Sequence, residues 1–263
     1  GGKGDDTFIY IGNELFNDFV QGDTGLNTLS FATSSNPINI LPEYIGTKTG
    51  FSGSLAGQPG TFDNIGNLVG SPQADTLTGL DESTTWTIGL TSNQMNSLGR
   101  NLFFTGIENL MGGNKWDAFN FNDGAIFDGN IDGGPGMPGK LPDNLIDFSR
   151  YSTPVIVDLM NNYASPVTGI ISNFLRISGG KGDDLLIGND LPNIIDGGPG
   201  DDEIHGLGGN DILITGTGNN IVYAGFGNDY IFSGAGVNIL CGEAGFDTAD
   251  IEWTGQYWIP LSD

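Results

Sequence analysis

Between Gly179 and Asp250 an aspartate or asparagine returns every ninth residue: Asp184, Asn193, Asp202, Asp211, Asn220, Asp229, Asn238 and Asp247. Glycines crowd the residues before them, as in GGKGDD at 179–184, GGPGDD at 197–202 and AGFGND at 224–229. Such turns offer oxygen ligands. Glycine lets the chain pass through positive φ and bring its carbonyls close together. A carboxylate placed after the turn then meets the carbonyls of its own loop and of a stacked loop. A cage of carboxylates and carbonyls suits a hard cation of flexible coordination, Ca²⁺, better than Zn²⁺ or Cu²⁺. No His or Cys stands at a turn position, which excludes a soft-metal reading. Asp and Asn are also ordinary turn formers. Eight copies in one register, matched by an apolar column, carry the pattern past that reading.

The same register sets the elements that must hold these side chains. Two residues after each Asp or Asn comes Leu186, Ile195, Ile204, Leu213, Val222, Ile231, Leu240 or Ala249. One apolar side chain between two non-core positions makes a very short strand with a single inward face. Strands and glycine turns repeating at a fixed nine-residue period predict an all-β chain folded as a parallel β-solenoid. Upstream the pattern loosens. FDNIGNLVGSPQADTLTG at 62–79 aligns with ISNFLRISGGKGDDLLIG at 171–188, and GIENLMGGNKWDAFNF at 106–121 follows the same line. The alignment superposes Asp75, Asp117 and Asp184 and sets Leu77 and Phe119 on Leu186. Further nonapeptide-like pieces lie at 1–9 and at 22–30. Residues 1–178 are therefore expected to form irregular solenoid coils and 179–250 a tight roll. The tail 251–263, IEWTGQYWIPLSD, breaks the register and is expected to be an aromatic cap. Helical periodicity is scarce, and its best candidate lies around 92–102.

The nonapeptides GGKGDDLLI, GGPGDDEIH and GLGGNDILI resemble the repeats-in-toxin (RTX) calcium-binding family, whose pattern is G-G-x-G-x-D-x-U-x with U a large apolar residue. The resemblance implies a β-roll in which two nonapeptides make one turn of the coil, so that residues eighteen apart stack. One edge then stacks Asp184, Asp202, Asn220 and Asn238, and the other Asn193, Asp211, Asp229 and Asp247. It implies several Ca²⁺ ions held by Asp184, Asp202, Asp211, Asp229 and Asp247, in turns shaped by Gly180, Gly182, Gly197, Gly209, Gly225, Gly227 and Gly242. Asp6 joins them through its matching GGKGDD. Asn cannot neutralise a dication. Full sites are thus expected between Asp184 and Asp202, Asp211 and Asp229, and Asp229 and Asp247. Asp202 with Asn220, and Asn193 with Asp211, should be weaker. Asn220 with Asn238 should be empty, their side chains bonding to the turn backbone. GSPQAD and GGNKWD depart from the glycine pattern and leave metal binding at Asp75 and Asp117 open. The stretch 106–134 is similar to repeats of very large secreted bacterial surface and matrix proteins. That likeness implies an adhesive or structural role, with copies of the chain or cell-surface glycans as partners beyond calcium.

Composition narrows the function classes. The 263 residues include 45 Gly and carry a formal charge of −24, with 25 Asp, 7 Glu and only 8 Lys or Arg. An Asp excess beside Gly points to turns and cation sites. Without basic clusters, nucleic-acid binding is excluded. No apolar run approaches a membrane span, and no signal peptide is visible. The chain opens in mid-motif, so a piece of a longer secreted protein is expected. His205 is the one histidine, which rules out H-E-x-x-H, and GFSGS at 50–54 lacks the last glycine of a nucleophile elbow. The expected answer is no enzyme. A secretion and folding module beside a catalytic domain elsewhere is the alternative. Cys241 stands alone, which excludes an internal disulfide.

Overall fold

The structure, a computed structural model, describes residues 1–12 and 14–251. The expected cap therefore lies outside the described residues except for Ile251, which ends the strand Thr248–Ile251. Every described element is a β-strand, and most strands pair in parallel. The fold is the β-solenoid that the nine-residue register predicts. Two compact units divide it: Gly1–Ala118 with Phe127–Pro142, and Phe119–Ile126 with the chain from Asp143 onward.

In the second unit, consecutive nonapeptides alternate between two parallel sheets. One runs Leu145–Asp147, Arg176–Ser178, Ile194–Asp196, Ile212–Ile214, Tyr230–Ser233 and Thr248–Ile251. The other runs Ile156–Asp158, Leu185–Asn189, Glu203–Leu207, Ile221–Phe226 and Ile239–Ala244. Pairing advances by eighteen residues: Leu186 lies on Ile204, Ile204 on Val222, and Val222 on Leu240. Across the roll, Ile195 lies on Leu213, Leu213 on Ile231, and Ile231 on Ala249. One side chain per strand faces inward because the strand spans little more than three residues between turns. Leu186, Ile195, Ile204, Leu213 and Val222 are fully buried, and each such burial stabilises the coil by about 1.5–3 kcal/mol.

The first unit keeps parallel coils but interrupts them with antiparallel strands. Leu29 lies on Leu68, and Leu77 on Leu110 and thence on Ile131. Between these, Asn39–Ile45, Phe51–Leu55 and Thr61–Ile65 form one antiparallel meander, and Thr84–Ile88, Asn93–Ser97 and Arg100–Thr105 form another. The helix candidate at 92–102 is thus a hairpin. Met95 and Ser97 alternate inward on one strand, Leu102 and Phe104 on the next, and all four are buried. Leu98 and Gly99 take φ of 51° and 74°, the paired positive angles of a two-residue hairpin turn. A single Gly before Arg100 was the local signal for that turn, and the apolar spacing alone does not resolve it from a helix.

Stacking of the turns leaves no room for a side chain at several glycines. Gly227 has φ 143°, and a Cβ there would strike the carbonyl oxygen of Gly209 in the coil beneath. Gly227→Ala should destabilise the second unit by about 2 kcal/mol or more. Thermal melting of the variant with calcium present checks this, and an unchanged midpoint would remove the steric argument.

Candidate metal centre

The sixth position of each nonapeptide points into the turns, and its side chain holds the coils together. Oδ1 of Asp202 accepts the backbone N–H of Asp184 at 2.9 Å, eighteen residues earlier. The same bond joins Asp211 to the N–H of Asn193, Asp229 to that of Asp211, and Asp247 to that of Asp229, at 2.8 to 3.0 Å. Asn220 and Asn238 make it with their amide oxygens. The ladder needs an oxygen and no charge, which is why Asn and Asp interchange along it.

The second carboxylate oxygen distinguishes Asp from Asn. Oδ2 of Asp202, Asp211 and Asp229 is buried with no hydrogen-bond partner. A buried polar atom left so costs free energy unless something satisfies it. Burial pushes the carboxyls of Asp202 and Asp211 up to about 7, with repulsion from Asp184 adding to the first and from Asp229 to the second. Burial raises Asp184 and Asp229 as well. Turn carbonyls meet the next coil: a Cβ on Gly198 would meet the oxygen of Gly180 at 2.5 Å, one on Gly200 would strike that of Gly182, and one on Gly197 would meet both Oδ2 of Asp202 and the oxygen of Thr215. On the other edge, the carbonyls of Gly209 and Gly227 face Gly227 and Gly245 of the next coil. Among the described residues no three of His, Cys, Asp and Glu gather as a metal-holding group. Stacked carboxylates beside turn carbonyls make an all-oxygen donor set, which fits Ca²⁺. The residues present fit the ion.

Residues 176–190, 187–222 and 214–249 match the family model of the RTX calcium-binding nonapeptide repeat, in four copies. Residues 176–249 are RTX repeats. No curated protein matches the chain. The RTX repeat is a structural calcium-binding repeat, and its matched stretch lies wholly in the second unit. No described helix is long and apolar enough to cross a membrane, which leaves β-barrels unaddressed.

The structure separates the sequence-derived site residues into two groups. Asp202, Asp211 and Asp229 carry unpartnered oxygens inside the RTX stack. Asp184, at its start, does not: its Oδ2 accepts the N–H of Gly180 at 2.5 Å and its Oδ1 that of Val155. Asp6 is held likewise by the N–H of Gly2. Asp75 takes the N–H groups of Ser71 and Ile38, and Asp117 those of Gly113 and Thr84. Four residues back for one oxygen and one coil back for the other is a shared geometry, so the alignment of Asp75, Asp117 and Asp184 is structural. The glycines divide too. Gly197 and Gly242 lie against the Oδ2 of Asp202 and Asp247, where a Cβ would come within 2.6 and 2.5 Å. Gly225 lies against the carbonyl of Leu207. His205 stacks on Tyr223 with ring centroids 4.9 Å apart and bonds to Glu203, away from the turns.

A second ladder escaped the sequence reading. At the fifth position, Oδ1 of Asp183 accepts the N–H of Asp201, Asp201 that of Asn219, and Asn219 that of Val237. Asn210 and Asn228 do the same for Asn228 and Phe246. It runs opposite to the sixth-position ladder, from each coil to the next. The doubled DD and NN of the turns were its signal.

The raised carboxyls make the calcium-free protein pH-sensitive. A folded-state pKa near 7 for Asp202 and Asp211, against about 3.9 unfolded, adds stability that is fully present below about pH 4. That stability is lost as pH rises through 7. Calcium needs the carboxylates ionised, so its affinity should move the other way. Melting in chelator should rise from pH 8 to pH 5, while calcium affinity falls severalfold from pH 8 to pH 6. Parallel trends in both measurements would refute the assignment.

Proposed function

We propose that the chain is a calcium-set structural or adhesive segment of an extracellular protein, whose RTX roll folds and stiffens when Ca²⁺ enters its turns after export. The observation that carries the reading is the set of buried, unpartnered Oδ2 atoms at Asp202, Asp211 and Asp229. Asp211 with Asp229, and Asp229 with Asp247, would hold ions on one edge, and Asp184 with Asp202 on the other, in turns shaped by Gly180, Gly182, Gly197, Gly209, Gly225, Gly227 and Gly242. Asp6 lies opposite Asn27 in the first unit and would bind more weakly, since an Asn amide replaces its charged partner. When bound, calcium supplies the positive charge that the carboxylates lack.

The chain's own part is geometric. The sixth-position ladder fixes Oδ1 of Asp202, Asp211 and Asp229 on a neighbouring N–H and leaves their Oδ2 atoms buried and unpartnered. The ligand cage scarcely exists before the coils stack, so binding free energy becomes folding free energy. With a net charge of −24, self-repulsion opposes compaction until cations enter. In a cell's low free calcium the segment would stay extended, and outside it would set. The division into loose coils at 1–178, a tight roll at 179–250 and a cap at 251–263 belongs to the same proposal. Its partners would be further copies of the chain or cell-surface glycans. Isothermal titration with calcium tests the core of it: binding coupled to a gain of β-sheet circular dichroism is expected, and no uptake at 1 mM would overturn it.

A further inference from the structure

One stretch of the RTX edge satisfies itself without an ion. Asn220 and Asn238 stack eighteen residues apart, and both are buried. Asn220 Nδ2 donates to Oδ1 of Asn238 at 3.0 Å and to the carbonyl of Gly218 at 3.3 Å. Asn238 Nδ2 donates to Oγ of Ser233 at 2.8 Å and to the carbonyl of Gly234 at 3.0 Å. The N–H of Gly234 in turn donates to Oγ1 of Thr215 at 2.9 Å. The side-chain amide N–H groups thus occupy turn carbonyls of the kind that would face a cation elsewhere on the stack.

In seven of the eight nonapeptides the first position changes in step with the sixth, Gly188 before Asn193 being the exception. Gly197, Gly206 and Ala224 precede Asp202, Asp211 and Asp229, whose second oxygens have no partner. Thr215 and Ser233 precede Asn220 and Asn238. Ala224 shows that space alone is not the rule, since a methyl is accepted beside Asp229. A first-position residue without a hydrogen-bonding side chain leaves the carboxylate for a cation. A hydroxyl there serves a neutral amide or the next turn's N–H.

We infer that Thr215, Asn220, Ser233 and Asn238 form a metal-free clasp, and that the pairing of first and sixth positions determines which turns take calcium. This rests on the calcium reading of the other turns. Two expectations follow physically. The clasp keeps its hydrogen bonds in chelator, because none depends on a cation. Replacing hydroxyl and amide by glycine and carboxylate recreates the donor set of the Asp202 and Asp211 turns.

Hydrogen exchange of the unmodified chain in chelator is the first test. The N–H groups of Asn220 and Gly234 should exchange at least about tenfold more slowly than those of Asn193 and Asp211, whose acceptors are the carboxylates of Asp211 and Asp229. Equal or faster exchange overturns the clasp. The second test is calcium stoichiometry of the chain carrying T215G, N220D, S233G and N238D. Two ions more than the unmodified chain are expected, because positions 202 and 220 and positions 220 and 238 then each pair two carboxylates, and a variant with unchanged circular dichroism in calcium that binds no additional ion overturns the rule. If the unmodified chain takes up no calcium at all, the metal reading fails. The exchange contrast then still decides the clasp, since it is measured without metal.

Discussion

Removing calcium should lower the melting midpoint of the second unit by about 10–15 °C at pH 8. The magnitude follows from mass action. At about 1 mM Ca²⁺ and a Kd near 10⁻⁴ M, each site contributes about 1.4 kcal/mol. Three sites, at the pairs 184/202, 211/229 and 229/247, then contribute about 4 kcal/mol, a large share of a domain's net stability. For a unit of this size each kcal/mol moves the midpoint by about 3–4 °C. Chelator acts twice, since it also leaves the buried Oδ2 atoms of Asp202, Asp211 and Asp229 unpaired. The first unit should respond far less. Its turns at Asp75 and Asp117 depart from the RTX glycine pattern, and it buries large side chains such as Trp86, Phe62 and Phe104. Differential scanning calorimetry with and without chelator measures both effects. A midpoint that does not move on chelation would sink the proposal.

The roll was legible because its repeat is short and its columns are chemically pure. A side chain that recurs every nine residues between glycines must meet its own copies, and Leu186 on Ile204 on Val222 is the result. The ladders were not legible to the same degree. Their bonds run from a side chain to a backbone N–H in another coil, and nothing in the residue type of the donor records that. At the fifth position, only the stacked coils make Asp201 accept from the N–H of Asn219 and donate its own N–H to Asp183. The difference between Asp184 and Asp202 was hidden for a related reason. Both sit in G-G-x-G-D-D, but only Asp202 has an RTX turn stacked beneath it on that edge. Asp184 is the first of its stack and closes on Gly180 and Val155. In the first unit the antiparallel meanders break the period, so the hairpin of Asn93–Ser97 and Arg100–Thr105 had to be read from one Leu-Gly pair.

Asp229 is the position where ladder and metal can be told apart, because it belongs to two carboxylate pairs and to two ladder bonds. Its Oδ1 accepts the N–H of Asp211, its own N–H donates to Asp247, and its Oδ2 is buried without a partner. Asp229→Ala removes the ladder acceptor together with the charge. In chelator it should destabilise by about 1–3 kcal/mol, the cost of a buried N–H left unpaired. In calcium it should also lose about two ions. Asp229→Asn keeps the oxygen that holds Asp211 and removes only the charge. Its new N–H₂ can reach the carbonyl two residues back, as Asn220 does with Gly218. In chelator this variant should melt no lower than the parent, and higher where Asp229 would otherwise be an unpaired carboxylate. In calcium it should melt lower by roughly 3 kcal/mol of lost binding, about two sites' worth. The sign of the Asn effect therefore reverses between the two conditions, while the Ala effect is destabilising in both. Melting curves of the two variants and the parent, each run in chelator and in 1 mM calcium, read this directly. An Asn variant that retains every ion, or that loses stability equally in both buffers, would show that Asp229 serves the ladder alone.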